Sequence, residues 1–240
     1  LLHDDVIDEG QTRRGAATVN RLWGNESAVL LGDFVLSQVF RLVADFEPVV
    51  AKVIAETAAR VCEGELRQVA QKQNWRLTEA QYLSIIREKS AAFFSGCCHL
   101  GALLSGAVQP QVEALADYGL HAGVAFQITD DLLDVAGDER ATGKTAGSDL
   151  GASKLTLAVI HLIGTVDAAA RERVYELLES PRDCGDELKE LLAGHGSLQY
   201  ARDRALDYVR DAEAALERVP ASAARDALVE TARFIVNRTA

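Results

Sequence analysis

Between Glu26 and Phe46 the apolar residues Val29, Leu30, Leu31, Phe34, Val35, Val39, Phe40, Leu42 and Val43 recur at helical spacing over a wide face. That pattern predicts a buried helix. Pro48 suits the first turn of a second helix, and Val49, Val53, Ile54, Val61, Leu66 and Val69 continue its period. Thr78 followed by Gln81 forms a capping box, which predicts one long helix through Tyr82, Ile85, Ile86, Phe93 and Phe94 towards Leu104. Pro110 precedes another, running through Leu115, Tyr118, Val124 and Ile128 to about Val135. Beyond a glycine-rich loop from Gly137 to Gly151, helices are expected from Lys154 to Ile163, Asp167 to Leu178, Asp186 to Leu192, Ser197 to Val219 and Ser222 to Asn237. No stretch alternates with period two long enough to read as a strand. The fold class expected is all-α, a single-domain antiparallel bundle over residues 1–240 with no flexible linker and no short repeat.

Composition narrows the function. The net charge of −11 argues against nucleic acid as a partner, because sequence-independent phosphate binding needs a cationic face. Four cysteines, Cys62, Cys97, Cys98 and Cys184, lack paired metal-ligand spacing and read as reduced thiols of a cytoplasmic protein. Gly32 and Asp33 interrupt the most apolar segment, so no run approaches the roughly 18 residues of a membrane helix. There is no methionine, and the chain opens inside an apparent helix, so further residues are expected upstream of Leu1.

The candidate chemistry lies in two acidic clusters. "LLHDDVIDEG" carries Asp4, Asp5 and Asp8, and "FQITDDLLDVAGD" repeats the spacing with Asp130, Asp131 and Asp134. On a helix, residues four apart share a face, so each cluster turns at least two carboxylates to one side. Like charges about 6 Å apart at an effective dielectric near 20 repel by roughly 3 kcal/mol per pair. Bound cations are needed to offset that, and all-oxygen ligands suit hard divalent ions, Mg²⁺ best where phosphate oxygens share the coordination. One such cluster alone reads more readily as a solvated helix face; two, each set in apolar helix, favour a metal site. A di-iron bundle would want Glu-x-x-His pairs, which the five histidines do not supply. Basic residues complete the pattern. Arg13 and Arg14 follow the first cluster, Lys89 sits inside an apolar helix, and Lys144 and Lys154 flank the loop after the second. "TGKTAG" lacks the spacing and the preceding strand of a P-loop.

These segments resemble the trans-isoprenyl diphosphate synthases, or polyprenyl synthetases. The likeness is carried by "LLHDDVIDEGQTRRG", "WGNESAVLLGDF", "REKSA", "FQITDDLLDVAGD", "TGKTAGSDL" with "KLTL", and the closing "ARFIVNR". It implies a helix bundle around a central apolar cavity and Mg²⁺-assisted condensation of an allylic diphosphate with isopentenyl diphosphate, several ions per site, with Mn²⁺ as an alternative. It further implies metal-binding roles for Asp4, Asp5, Asp8, Asp130 and Asp134, with Asp131 nearby. Arg13, Lys89, Gln127, Lys144 and Lys154 would meet the allylic diphosphate and Arg14 the isopentenyl diphosphate, with Ser90 standing where the family usually has threonine. Ala158 stands where proline is common. The family's isopentenyl diphosphate anchor, a Gly-Lys-Arg segment and a histidine, would precede Leu1. The two-residue gap between Asp5 and Asp8, together with His3 and "WGN", looks more like the medium- and long-chain synthases, with a geranylgeranyl-type product left open. The family also implies a homodimer, and its lipid-like product favours membrane proximity. The competing readings are a class I terpene cyclase, which usually has an Asn/Ser/Glu-type second motif, and a noncatalytic partner subunit, which would be expected to lose motif acids or basic residues.

Overall fold

In the computed structural model, residues 1–136, 154–179 and 185–238 are described. A short helix α1 (Leu2–Ile7) leads into a two-stranded hairpin, β1 (Thr12–Arg13) and β2 (Ala16–Ala17). Helices α2 (Val19–Val43) and α3 (Pro48–Ala70) follow, then α4 (Glu79–Ile86), a π-helical turn (Arg87–Ala91) and α5 (Ala92–Leu104). Helix α6 (Gln109–Ala136) is followed by α7 (Leu157–Thr165), α8 (Ala168–Glu179), α9 (Gly185–Gly194), α10 (Ser197–Leu216) and α11 (Ala223–Asn237). The all-α expectation holds.

Helix α6 is the axis of the core, packed along α5 on one side and α10 on the other. Its buried Tyr118, Ala122, Val124, Ala125 and Ile128 meet Ala201, Ala205, Val209 and Ala212 of α10, within an apolar cluster that includes Leu157 and Leu162 of α7. The small residues of α10 recur at helical spacing and let that helix lie close. The Thr78–Gln81 capping box forms as expected: the Gln81 amide donates to Thr78 Oγ1 at 3.3 Å and the Thr78 amide donates to Gln81 Oε1 at 2.9 Å.

Four expectations change. Helix α2 begins earlier than predicted, bends at Gly24 (φ 83°), and buries only Ala28, Gly32 and Val43. Leu30, Phe34 and Phe40 of its apolar stripe are all at least 60% exposed. Periodicity identifies an apolar face but not what covers it; within this chain α2 packs on α1 and only slightly on α3. The long helix from Thr78 to Leu104 is interrupted by the π-helical turn. Lys154–Thr156 lie outside helix, so α7 starts at Leu157 with Thr156 as its N-cap. Finally, a hairpin too short to announce itself by alternation follows α1. Arg14 (φ 51°) and Gly15 (φ 76°) both take left-handed conformations at its tip, as a tight two-residue hairpin turn requires.

Candidate active site

The first acidic cluster is held on α1 by contacts from α2. Asn20 Nδ2 donates to the carbonyls of Asp5 and Gly10, both at 3.1 Å, and Thr18 Oγ1 donates to Gly10 O at 2.7 Å. His3 Nε2 lies 3.2 Å from both Val29 O and Asp33 Oδ1. The ring fits because residue 32 is glycine: a Cβ there would lie 2.6 Å from the imidazole.

Each acid of this cluster meets a cation or faces water. Asp5 is only 6% exposed, and the Arg13 guanidinium closes on its Oδ1 through Nε and Nη2, both at 2.7 Å. Lys154 Nζ reaches Asp8 Oδ1 at 2.7 Å, which joins the segment after the second cluster to the first. The side chain of Asp4 is partly exposed. Arg14 is exposed at the hairpin tip.

The second cluster lies in the last turns of α6, where it divides by environment. Asp130 is paired with Arg238 at 3.2 Å, and that guanidinium also stacks 4.3 Å above the Phe126 ring. Asp131 is buried and accepts from Tyr82 Oη at 2.6 Å and from Gln127 Nε2 at 2.7 Å. Asp134 is buried as well. Gln127 Oε1 accepts from Ser90 Oγ at 2.6 Å.

Ser90 and Lys89 both belong to the π-helical turn. Such a turn inserts an extra residue and re-aims the side chains beside it. It packs against α3 at Gly64, where a Cβ would fall 2.2 Å from the Lys89 amide nitrogen. Lys89 Nζ reaches Glu65 Oε2 at 2.7 Å and Gln68 Oε1 at 2.5 Å. This lysine, three-quarters or more buried, is therefore charge-compensated, as a buried ammonium must be.

Lys144 lies outside the described residues. Of the other residues expected from sequence, Arg13 joins Asp5, Lys154 joins Asp8, Gln127 joins Asp131 and Ser90 joins Gln127; Lys89 is held beside Ser90 by α3. Sequence reasoning missed Tyr82, Glu65 and Gln68, and it took Arg238 only as part of a typical ending. Glu65 and Gln68, three apart on α3, were visible as a polar pair on an otherwise apolar period.

The donor set fits a hard divalent cation. Among the described residues no group of three or more His, Cys, Asp or Glu side chains is gathered to hold one ion. Mg²⁺ does not need such a cage, since it binds through one or two carboxylates, keeps waters and takes phosphate oxygens. In this structure the carboxylates of Asp5, Asp8 and Asp130 are balanced by Arg13, Lys154 and Arg238.

Residues 1–194 match the polyprenyl synthetase family. The chain belongs to that family. It is 36% identical over 241 residues to octaprenyl diphosphate synthase of Haemophilus influenzae, covering 99% of this chain and 73% of that protein. It is also 36% identical to a short chain isoprenyl diphosphate synthase of Methanothermobacter thermautotrophicus, over 99% of this chain and 75% of the relative. Among solved structures, polyprenyl synthase from Caulobacter crescentus, complexed with calcium and isoprenyl diphosphate, superposes with a TM-score of 0.95 at 35% identity, covering 100% of this chain and 74% of that one. A decaprenyl diphosphate synthase from Rhodobacter capsulatus gives 0.91 at 38%, covering 98% and 74%. The chain is a chain-elongating prenyltransferase of that family. No helix among its described residues is long and apolar enough to cross a membrane.

Proposed function

We propose that the site joins an allylic diphosphate to isopentenyl diphosphate, head to tail, and releases a linear all-trans polyprenyl diphosphate of medium or long chain. The observation that carries this reading is the pairing of Arg13 with Asp5 and of Lys154 with Asp8. A diphosphate bridged by metal needs carboxylates on the metal side and cations on the oxygen side, and these pairs hold both kinds of group within 2.7 Å of each other.

Asp4, Asp5, Asp8, Asp130 and Asp134 would hold Mg²⁺. When bound, the metal neutralises the diphosphate and stabilises pyrophosphate as it departs. Arg13, Lys89, Gln127 and Lys154 bind and orient the diphosphate oxygens, with Lys144 joining them, and Arg14 at the hairpin tip meets isopentenyl diphosphate. Their fixed charges favour the oxyanion that develops as the allylic C–O bond breaks. The isopentenyl double bond then attacks the allylic carbon, a proton is lost to the departing pyrophosphate, and no protein base is required. Apolar side chains of the bundle keep water from the cation.

The exposed stripe of α2, with Leu30, Phe34 and Phe40, supports a homodimer built on that helix. Exposed apolar patches of this kind are a common mark of protein interfaces. Free thiols at Cys62, Cys97 and Cys98 support a cytoplasmic enzyme, which would hand its lipid-like product to a nearby membrane.

The test is turnover by the intact protein with labelled isopentenyl diphosphate, an allylic primer and Mg²⁺. Linear products, whose length the same assay reads, are expected. Cyclic hydrocarbons, or no turnover without a second polypeptide, would overturn the reading.

A further inference from the structure

A chain of hydrogen bonds, buried at one end and partly buried along the rest, crosses three elements next to the proposed diphosphate site. Tyr82, in the first turn of α4, is 3% exposed and donates its hydroxyl to Asp131 Oδ2 at 2.6 Å. Asp131, 7% exposed, accepts on its other oxygen from Gln127 Nε2 one turn earlier on α6, at 2.7 Å. The carbonyl end of the same amide accepts from Ser90 Oγ at 2.6 Å, in the π-helical turn beside Lys89.

The polarity of this chain is fixed by its middle member. A buried carboxylate accepts only, so Gln127 must present its NH₂ to Asp131 and its oxygen to Ser90. One N–H of the amide remains for a further acceptor. Buried networks of this kind specify geometry when every member is satisfied and lose it when one donor is removed. Without the Tyr82 hydroxyl, Asp131 would be a buried carboxylate lacking one of its donors, and it would draw on the Gln127 amide in compensation.

We propose that Tyr82 is a positioning residue for prenyl transfer. Through Asp131 it sets the orientation of Gln127, and through Gln127 that of Ser90 in the turn that carries Lys89. The proposal rests on the function given above, in which Gln127 and Lys89 meet the allylic diphosphate. Tyr82 itself touches neither substrate; it acts on the allylic side of the reaction and leaves isopentenyl diphosphate binding alone.

The test uses Tyr82→Phe, which keeps the ring in the core and deletes only the hydroxyl, with Ser90→Ala and the double variant. For Tyr82→Phe, kcat/KM towards the allylic diphosphate is expected to fall roughly tenfold or more, while KM for isopentenyl diphosphate stays within about twofold. The double variant should lose less than the product of the single losses, because both substitutions break one chain. Two results would overturn the proposal: a lowered melting temperature with unchanged kinetic constants, as a purely structural hydroxyl would give, or multiplicative losses in the double variant. A wild-type protein without turnover would instead overturn the underlying reading, so the two failures are distinguishable.

Discussion

Lys154 and Asp8, 146 residues apart in sequence, meet through an Nζ–Oδ1 contact of 2.7 Å. The lysine stands just after the glycine-rich segment that follows the second acidic cluster, and the aspartate closes the first. Their contact ties the segment that follows the second cluster to the first cluster. Replacing Asp8 by Asn keeps the shape and removes the charge that would hold metal and lysine alike. Steady-state kinetics should show kcat reduced about 100-fold or more, since lost stabilisation of a developing charge falls on the chemical step. An Asp8→Asn enzyme with unaltered kcat would remove Asp8 from the metal set.

The close approach of α3 to the π-helical turn depends on Gly64, where even a methyl would sit 2.2 Å from Lys89 N. Gly64→Ala would gain helix propensity on α3, about 1 kcal/mol. Overpacking against a backbone atom costs roughly 1–3 kcal/mol and should win, because the clash is with main chain rather than a flexible side chain. Calorimetry should find a lower melting temperature, and the displaced Lys89 should raise KM for the allylic diphosphate. A variant more stable than wild type would contradict this packing.

The outward stripe of α2 gives a prediction about assembly. Phe34→Asp together with Phe40→Asp alters two exposed positions and should leave the helical circular dichroism intact. If the stripe is the seam of a homodimer, sedimentation should show a dimer for wild type and a monomer for the variant. A variant that remains dimeric would place the seam elsewhere.

His121 couples stability to pH. Burial pushes its imidazole below the usual range and outweighs Asp211, whose carboxylate lies 3.9 Å away and pulls in the opposite direction. Arg87 adds to the lowering and Asp117 opposes it. Because the folded value lies below the unfolded one, the unfolded chain holds more protons in the interval between them. Stability is therefore full above about pH 6.5 and falls as pH drops through that value towards the folded one. His121→Phe, which keeps a ring beside Tyr208, should narrow the difference in melting temperature between about pH 7.5 and pH 5.5. An unchanged difference would show that His121 does not take up the proton.

Much of this architecture is legible in the sequence, because burial writes a helical period into the chain and capping writes its boundaries. The Thr78–Gln81 box is an example, as are the two acid triads. What was not legible has physical causes. Arg87–Ala91 has the residues of an ordinary helix, and its π-helical turn is tied to contact with Gly64, far away in sequence. The apolar period of α2 shows a face without saying whether the cover comes from its own chain. Tyr82 reads as one more apolar position on a helix, since only the fold brings its hydroxyl to Asp131.

The most direct measurement is calorimetric titration of the protein with an unreactive allylic thiolodiphosphate, with and without Mg²⁺, for wild type and for Asp4→Ala and Asp130→Ala. Acids of both motifs acting through shared metal predict that Mg²⁺ tightens binding to wild type by about tenfold or more, with most of that gain lost in each variant. Equal affinity with Mg²⁺ and with a chelator would contradict it.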